Sequence, residues 1–205
     1  MIILFKVLEK KGYTSSDSEC FLQSFEKKGI EQLKGKTNLK RNFLMDDNNK
    51  EYKELWPEVL KWAKQNDVTG FGLSKTFLVV PKGFQQDNKD LDPKDVKHEN
   101  YTDASMIEDA HNAGLDVHAF TFRNEDEKLL FEYGQDPYNE FEKFLNLGID
   151  GYFTDFPATA KRFLDTASNN SSNNTSSKYL SQLTLLFSLF LYICSGTYVK
   201  SLTAL

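Results

Sequence analysis

Three short segments hold the side chains whose types and placement suit chemistry: Gln23-Ser24-Phe25-Glu26, Phe122-Arg123-Asn124 and Thr154-Asp155-Phe156. Each closes an apolar or β-branched run, and in parallel sheets and barrels ligands are met at the carboxyl ends of the strands. Arg123 offers a planar fork of donors for a phosphate, although at a strand end a structural ion pair is the commoner use. Asp155 reads equally as a metal or acid-base carboxylate and as a helix cap; Glu26 has the same two readings, with the cap favoured. Among the histidines, His98 falls in a polar loop, His111 on a helix and His118 on a strand. His118 suits acid-base work, but a satisfied structural histidine is the favoured reading. The sequence has no Gly-rich phosphate loop, no HExxH and no GxSxG, so these residues do not assemble a complete catalytic set.

The elements that must position them repeat one pattern, a short apolar run followed by a turn and an amphipathic helix. Residues 21–25 predict a strand, followed by a helix through Ile30 and Leu33 that ends near Gly35. Residues 39–44 predict the next strand. A helix over 51–65 carries Leu55, Val59 and Trp62 on one stripe, with Pro57 tolerated in its first turns. Residues 71–73 and 77–80 read as short strands. Ser105-Met106-Ile107-Glu108 has capping-box form, Met106, Ile107, Ala110 and Ala113 make an apolar stripe, and Gly114 suits a left-handed C-terminal cap. A strand over 115–122 follows. Asp136-Pro137 opens a helix through Phe141, Phe144 and Leu145 to Gly148, residues 151–155 form a strand, and Pro157 opens a last helix through Phe163. The alternation implies a parallel sheet with βαβ crossovers, either doubly wound or part of a barrel.

Charge and composition divide the chain. With 25 basic and 30 acidic residues among 205, the net charge of −5 excludes a basic nucleic-acid-binding domain. Residues 168–205 carry only Lys178 and Lys200 as charges, so the body is two units more negative than the whole. Met1-Ile2-Ile3-Leu4-Phe5 is too short for a secretory apolar region of about 7–15 residues and reads as the end of a helix. Cys20 and Cys194 form no CxxC pattern, and two separate thiols are favoured over a bridge. Residues 168–177 are Ser and Asn with one Thr, a hydrophilic spacer with overlapping glycosylation sequons at Asn169, Asn170, Asn173 and Asn174; Asn100 heads another. Residues 179–199 carry no charge and are most apolar over 183–194. A lipid-anchor attachment signal is favoured over a membrane span, and either over a buried helix. The division expected is a body over 1–166, a linker over 167–178 and an apolar anchor segment over 179–205.

Three strings carry a resemblance: Phe21-Leu22-Gln23-Ser24-Phe25-Glu26, residues 109–123 from Asp109-Ala110-His111 to Phe122-Arg123, and Leu147-Gly148-Ile149-Asp150-Gly151-Tyr152-Phe153-Thr154-Asp155-Phe156-Pro157. In order and spacing they resemble the second half of the glycerophosphodiester phosphodiesterases, most closely the longer, periplasmic-type or secreted branch. The resemblance implies a (βα)8 barrel that hydrolyses glycerophosphodiesters to glycerol 3-phosphate and an alcohol, using a divalent metal, Ca or Mg, and general acid-base groups. The His-Arg-Gly and His-Asp motifs of that family, and its metal-binding carboxylates, do not occur in this sequence. A whole barrel takes about 250 residues. The expectation is therefore an α/β fold of TIM-barrel type holding only the C-terminal part, about strands 5–8, with no catalytic and no metal-binding residue in this chain and no activity of its own. What the resemblance leaves to it is pocket wall: Phe25 and Phe120 as apolar lining and Arg123 as a phosphate or structural contact. Phe120 stands where many relatives carry tryptophan. The implied partners are a small glycerophosphodiester and, through the tail, a membrane, with the protein at the extracellular face of the cell surface, membrane-anchored or secreted. A non-catalytic surface barrel or binding protein, and a related phospholipase, are the alternatives.

Overall fold

The computed structural model describes residues 2–49, 51–81, 100–102, 104–129, 136–170 and 184–187. In chain order the body runs α1 (Ile2–Lys10), β1 (Phe21–Ser24), α2 (Lys27–Glu31), β2 (Lys40–Met45), α3 (Glu51–Glu54), α4 (Trp56–Gln65), β3 (Gly70–Ser74), α5 (Lys75–Leu78), β4 (Val79–Pro81), β5 (Asn100–Thr102), α6 (Ala104–Asn112), β6 (Asp116–Phe122), α7 (Pro137–Leu147), β7 (Gly151–Thr154) and α8 (Pro157–Asn170). From the tail, Thr184–Phe187 forms β8. The strands β1-β2-β3-β6-β7-β8 make one sheet in that order, every pairing parallel. Its body contributes five strands where about four were expected. β4 and β5 pair antiparallel in a separate ribbon.

The sheet is curled. β1 and β6 are three places apart, about 14 Å in a flat sheet, yet the Phe21 and His118 ring centroids lie 5.0 Å apart and those of Phe25 and Phe120 5.8 Å. The concave face thus closes on itself, as in part of a barrel. Gly72 permits one close approach on this face: a Cβ there would lie 2.4 Å from Leu44 Cδ2. The convex face carries the helices and the main core. Phe43, Phe71, Leu73, Val117 and Phe122 from the strands meet Ile30, Val59, Ala63, Ala110, Phe141 and Phe144 from the helices, all 2% exposed or less. Phe122 stacks on Phe141 with centroids 4.7 Å apart and meets Phe144 edge-on at 5.2 Å. By parity Phe122 belongs with His118 and Phe120 on the concave face. The register shift between Ala119 and Phe122 turns it to the helices instead.

The helix ends follow local chemistry. Asp136 caps α7 by accepting from the Tyr138 N–H at 2.9 Å, and Gly148 ends it at φ 92°, the left-handed region that glycine occupies without strain. Gly114, at φ 73°, likewise follows α6. Two expectations need correction. The helix over 51–65 is broken into α3 and α4 at Leu55, because Pro57 lies in the first turn of α4 and has no N–H to carry the helix through. Leu55 is exposed in consequence, and Trp56 takes its place against the core. The short strand expected over 77–80 starts two residues later, at Val79: Ser74 Oγ accepts from the Phe77 N–H at 3.0 Å and starts a helical turn over Lys75–Leu78, after which Val79–Pro81 pairs with β5 outside the main sheet. α8 runs on to Asn170. Among the described residues no helix is long and apolar enough to cross a membrane.

Candidate functional site at the carboxyl rim

Two aromatic layers line the concave face. The lower joins Phe21 of β1, His118 of β6 and Phe153 of β7, with His118 and Phe153 centroids 5.8 Å apart. The upper joins Phe25, just after β1, to Phe120 of β6, which also meets Phe153 at 6.4 Å. Alternation along a strand puts His118 and Phe120 on one face, and the curl brings β1 to meet them. Both proposed lining residues are half-buried, so their edges reach solvent at the rim.

His118 is a structural residue here. It is 1% exposed, and its Nδ1 lies 2.9 Å from Asn42 Nδ2. An amide nitrogen only donates, so Nδ1 accepts and the ring proton sits on Nε2. Burial, helped by the nearby Lys40 ammonium, pushes its pKa down to about 3, which keeps the ring neutral. Beside it, Asn42 Oδ1 and Gln23 Oε1 are buried acceptors without a hydrogen-bond partner.

Arg123 extends from the end of β6 over the rim. Its Nε and Nη2 donate to the two Glu125 carboxylate oxygens at 3.1 and 2.6 Å, its Nη1 pairs with Asp155, and the guanidinium stands 6.0 Å from the Phe156 ring. Hydrogen bonds from Arg123 hold the Glu125 carboxyl down to about 2. The planar fork is therefore committed to carboxylates from its own and the next strand end, although a third of the side chain remains exposed. Ser24 Oγ accepts from the Glu26 N–H at 3.0 Å, and Glu26 occupies the N-cap position of α2 without capping it through its carboxylate. Thr154 Oγ1 donates to the Phe122 carbonyl and accepts from the Phe156 N–H, which ties β6 to the β7–α8 turn. Asn124 Nδ2 reaches Thr159 Oγ1 at 2.8 Å.

Over residues 3–159 the sequence matches the Glycerophosphoryl diester phosphodiesterase family. The chain belongs to this family. Glycerophosphodiester phosphodiesterase GDPD6 of Arabidopsis thaliana is 30% identical over 173 residues, which cover 77% of this chain and 43% of the relative. Protein SUPPRESSOR OF NPR1-1 CONSTITUTIVE 4 of the same plant is 35% identical over 114 residues, covering 53% and 10% respectively. A crystal structure described as a glycerophosphoryl diester phosphodiesterase from Agrobacterium tumefaciens aligns with TM-score 0.49 at 16% identity, over 80% of this chain and 51% of that one. The chain thus spans less than half the length of the curated relatives it matches.

The described residues do not fit the divalent ion that the family implies. Among the described residues no three His, Cys, Asp or Glu side chains gather into a metal-binding group. The rim carboxylates of Glu125 and Asp155 are bound to Arg123, and Asp47 Oδ2 accepts from Thr76 Oγ1 at 2.5 Å.

Other sequence candidates lie apart. His111 Nε2 meets Asp150 Oδ2 at 2.8 Å on the outer surface, where the same oxygen accepts from the Val117 N–H. Asn100 lies in β5, and Asn169 and Asn170 end α8. His98, Asn173, Asn174 and Cys194 fall outside the described residues. Five buried polar residues escaped the sequence reading: Arg41 and Asn42, inside an apolar strand run, Ser74 at the end of β3, and Lys75 with Glu140, whose Nζ and Oε2 lie 2.8 Å apart. A polar residue within a strand signal was the clue to Asn42. The Lys75–Glu140 pair spans 65 residues, and no local spacing announces it.

Proposed function

We propose that this chain forms the pocket-wall part of a phosphoric diester hydrolase that cleaves glycerophosphodiesters to glycerol 3-phosphate and an alcohol. The observation that carries the reading is the aromatic wall of Phe25, Phe120 and Phe153 at the carboxyl rim, next to the Arg123 guanidinium, in a chain of this family. The wall offers an apolar face to the alcohol. A phosphodiester arriving at the rim would compete with Glu125 and Asp155 for the donors of Arg123, an exchange of one anion for another. The groups that move protons are assigned to sequence outside this chain, so the 205 residues alone are inactive. The tail beyond Thr184–Phe187, which pair with β7, anchors the protein at the outer cell surface, and Asn100, Asn169, Asn170, Asn173 and Asn174 are its glycan acceptors.

A second reading, a non-catalytic surface barrel, is favoured by one observation: every donor-bearing nitrogen of Arg123 already faces a carboxylate. Sequencing the transcript through the codon for Met1 separates the two. In-frame coding for His-Arg-Gly and the acidic strand motifs, with glycerophosphocholine hydrolysis by that longer product, supports the hydrolase. An in-frame stop before any such motif supports the surface protein.

A further inference from the structure

Behind the rim, on the helix side of the sheet, lies a buried ion pair that the pocket reading does not use. Lys75 follows β3 directly, and its Nζ sits 2.9 and 2.8 Å from the two carboxylate oxygens of Glu140 in α7. The same ammonium donates to the Lys128 carbonyl at 3.0 Å and stands 5.5 Å from the centre of the Phe122 ring. The side chains of Lys75 and Glu140 are 8% and 0% exposed.

Such a pair is a poor source of stability. Desolvating both ions offsets most of their attraction, and apolar residues of equal volume serve a core as well or better. What the pair does provide is position. Lys128 closes the 3-10 turn Asp126–Lys128, whose N-cap is Glu125, the residue that grips Arg123. A continuous chain of polar contacts runs from Glu140 through Lys75 to the Lys128 carbonyl, across the turn by the Lys128 N–H to Glu125 carbonyl bond of 2.8 Å, and from the Glu125 carboxylate to Arg123. Three elements that are distant in sequence, the end of β3, the turn after β6 and the first turn of α7, are fixed against one another by one ammonium group.

We infer that Lys75 is a positioning residue for the carboxyl rim: its buried ammonium holds the turn that carries Glu125 and thereby sets where the Arg123 guanidinium stands. The assignment of a role to that rim rests on the hydrolase reading; the clamp itself does not. Burial lowers the Lys75 pKa, and Glu140 opposes that shift. Lysine suits the task because one compact ammonium serves a carboxylate and a carbonyl together.

The test is amide hydrogen exchange on the full chain, comparing wild type with K75M/E140L, which replaces the pair by apolar side chains, and with K75R. The Lys128 and Leu129 amides report the turn, since they donate to the Glu125 and Asp126 carbonyls. The clamp predicts exchange at these amides about tenfold faster in K75M/E140L, with β1 and β2 amides unchanged and an unfolding temperature close to wild type. It also predicts faster exchange of the Arg123 Nε–H in the same variant, and less acceleration in K75R, which keeps a cation at this position. Turn amides as protected in K75M/E140L as in wild type would overturn it, and so would equal acceleration in every strand. Should K75M/E140L fail to fold, E140Q is measured the same way, with faster exchange confined to the turn expected and unchanged exchange overturning the inference. None of these readouts depends on turnover, so failure of the hydrolase reading would leave them standing.

Discussion

Acidification should destabilise this fold through one identifiable group, His118. In the folded chain the imidazole is 1% exposed and held neutral, with its pKa pushed down to about 3. In the unfolded chain it returns to about 6.5. Below that value unfolding takes up a proton that the native state refuses, so stability falls as pH drops from about 6.5 towards 3. At pH 5 the unfolded histidine is about 1.5 units below its pKa and almost fully charged, while the native one is uncharged. The difference is about 2 kcal/mol lost between pH 7.5 and pH 5. Urea unfolding followed by the fluorescence of Trp56 and Trp62 measures it, and H118L supplies the subtraction. The variant pays a separate penalty of about 1–3 kcal/mol at every pH, because Asn42 Nδ2 loses its acceptor. What identifies His118 is the slope: the loss between the two pH values should be about 2 kcal/mol smaller in H118L than in wild type. Equal losses in the two proteins would refute the placement of a neutral, buried imidazole between Phe21 and Phe153.

Two further substitutions test the packing. Phe122→Ala removes a fully buried ring from between Phe141, Phe144 and Tyr152 and should cost about 3–5 kcal/mol, a fall of roughly 6–20 °C in the thermal midpoint; a shift under about 3 °C would contradict the core described. Gly70→Ala places a methyl 2.7 Å from the Asp116 backbone carbonyl and 3.1 Å from Asn42 Oδ1, which neither β2 nor β6 can yield easily. Calorimetry should show about 1–3 kcal/mol lost, with the β3–β6 amides the most exposed to exchange.

Much of the fold was legible because its signals are local. The apolar runs at 21–25, 39–44 and 151–155, the Asp136-Pro137 start and the glycines at 114 and 148 each depend on a few adjacent residues, and the structure places strands, cap and left-handed ends there. Pro57 and Ser74 show where local reading fails. In both places one residue redirects the backbone, a missing donor at Pro57 and a capping oxygen at Ser74, against the apolar periodicity around it. The site was legible only in outline. Phe25 and Phe120 could be named as lining by their strand-end positions and the family resemblance, but their meeting needs the curl of the sheet, which no single strand encodes. The alternation rule also misplaces Phe122, since the register shift in β6 is a property of its pairing with β7. Arg123 had two open readings, and its Glu125 and Asp155 partners come from chain positions 2 and 32 residues away.

The account stands most directly on steady-state release of glycerol 3-phosphate from glycerophosphocholine, with Ca or Mg supplied, by the 205-residue chain and by a product that also carries the His-Arg-Gly and acidic strand motifs. It predicts no turnover above the buffer blank from the 205 residues and turnover from the longer product. Hydrolysis by the 205-residue chain itself would contradict the assignment of its residues to the pocket wall alone.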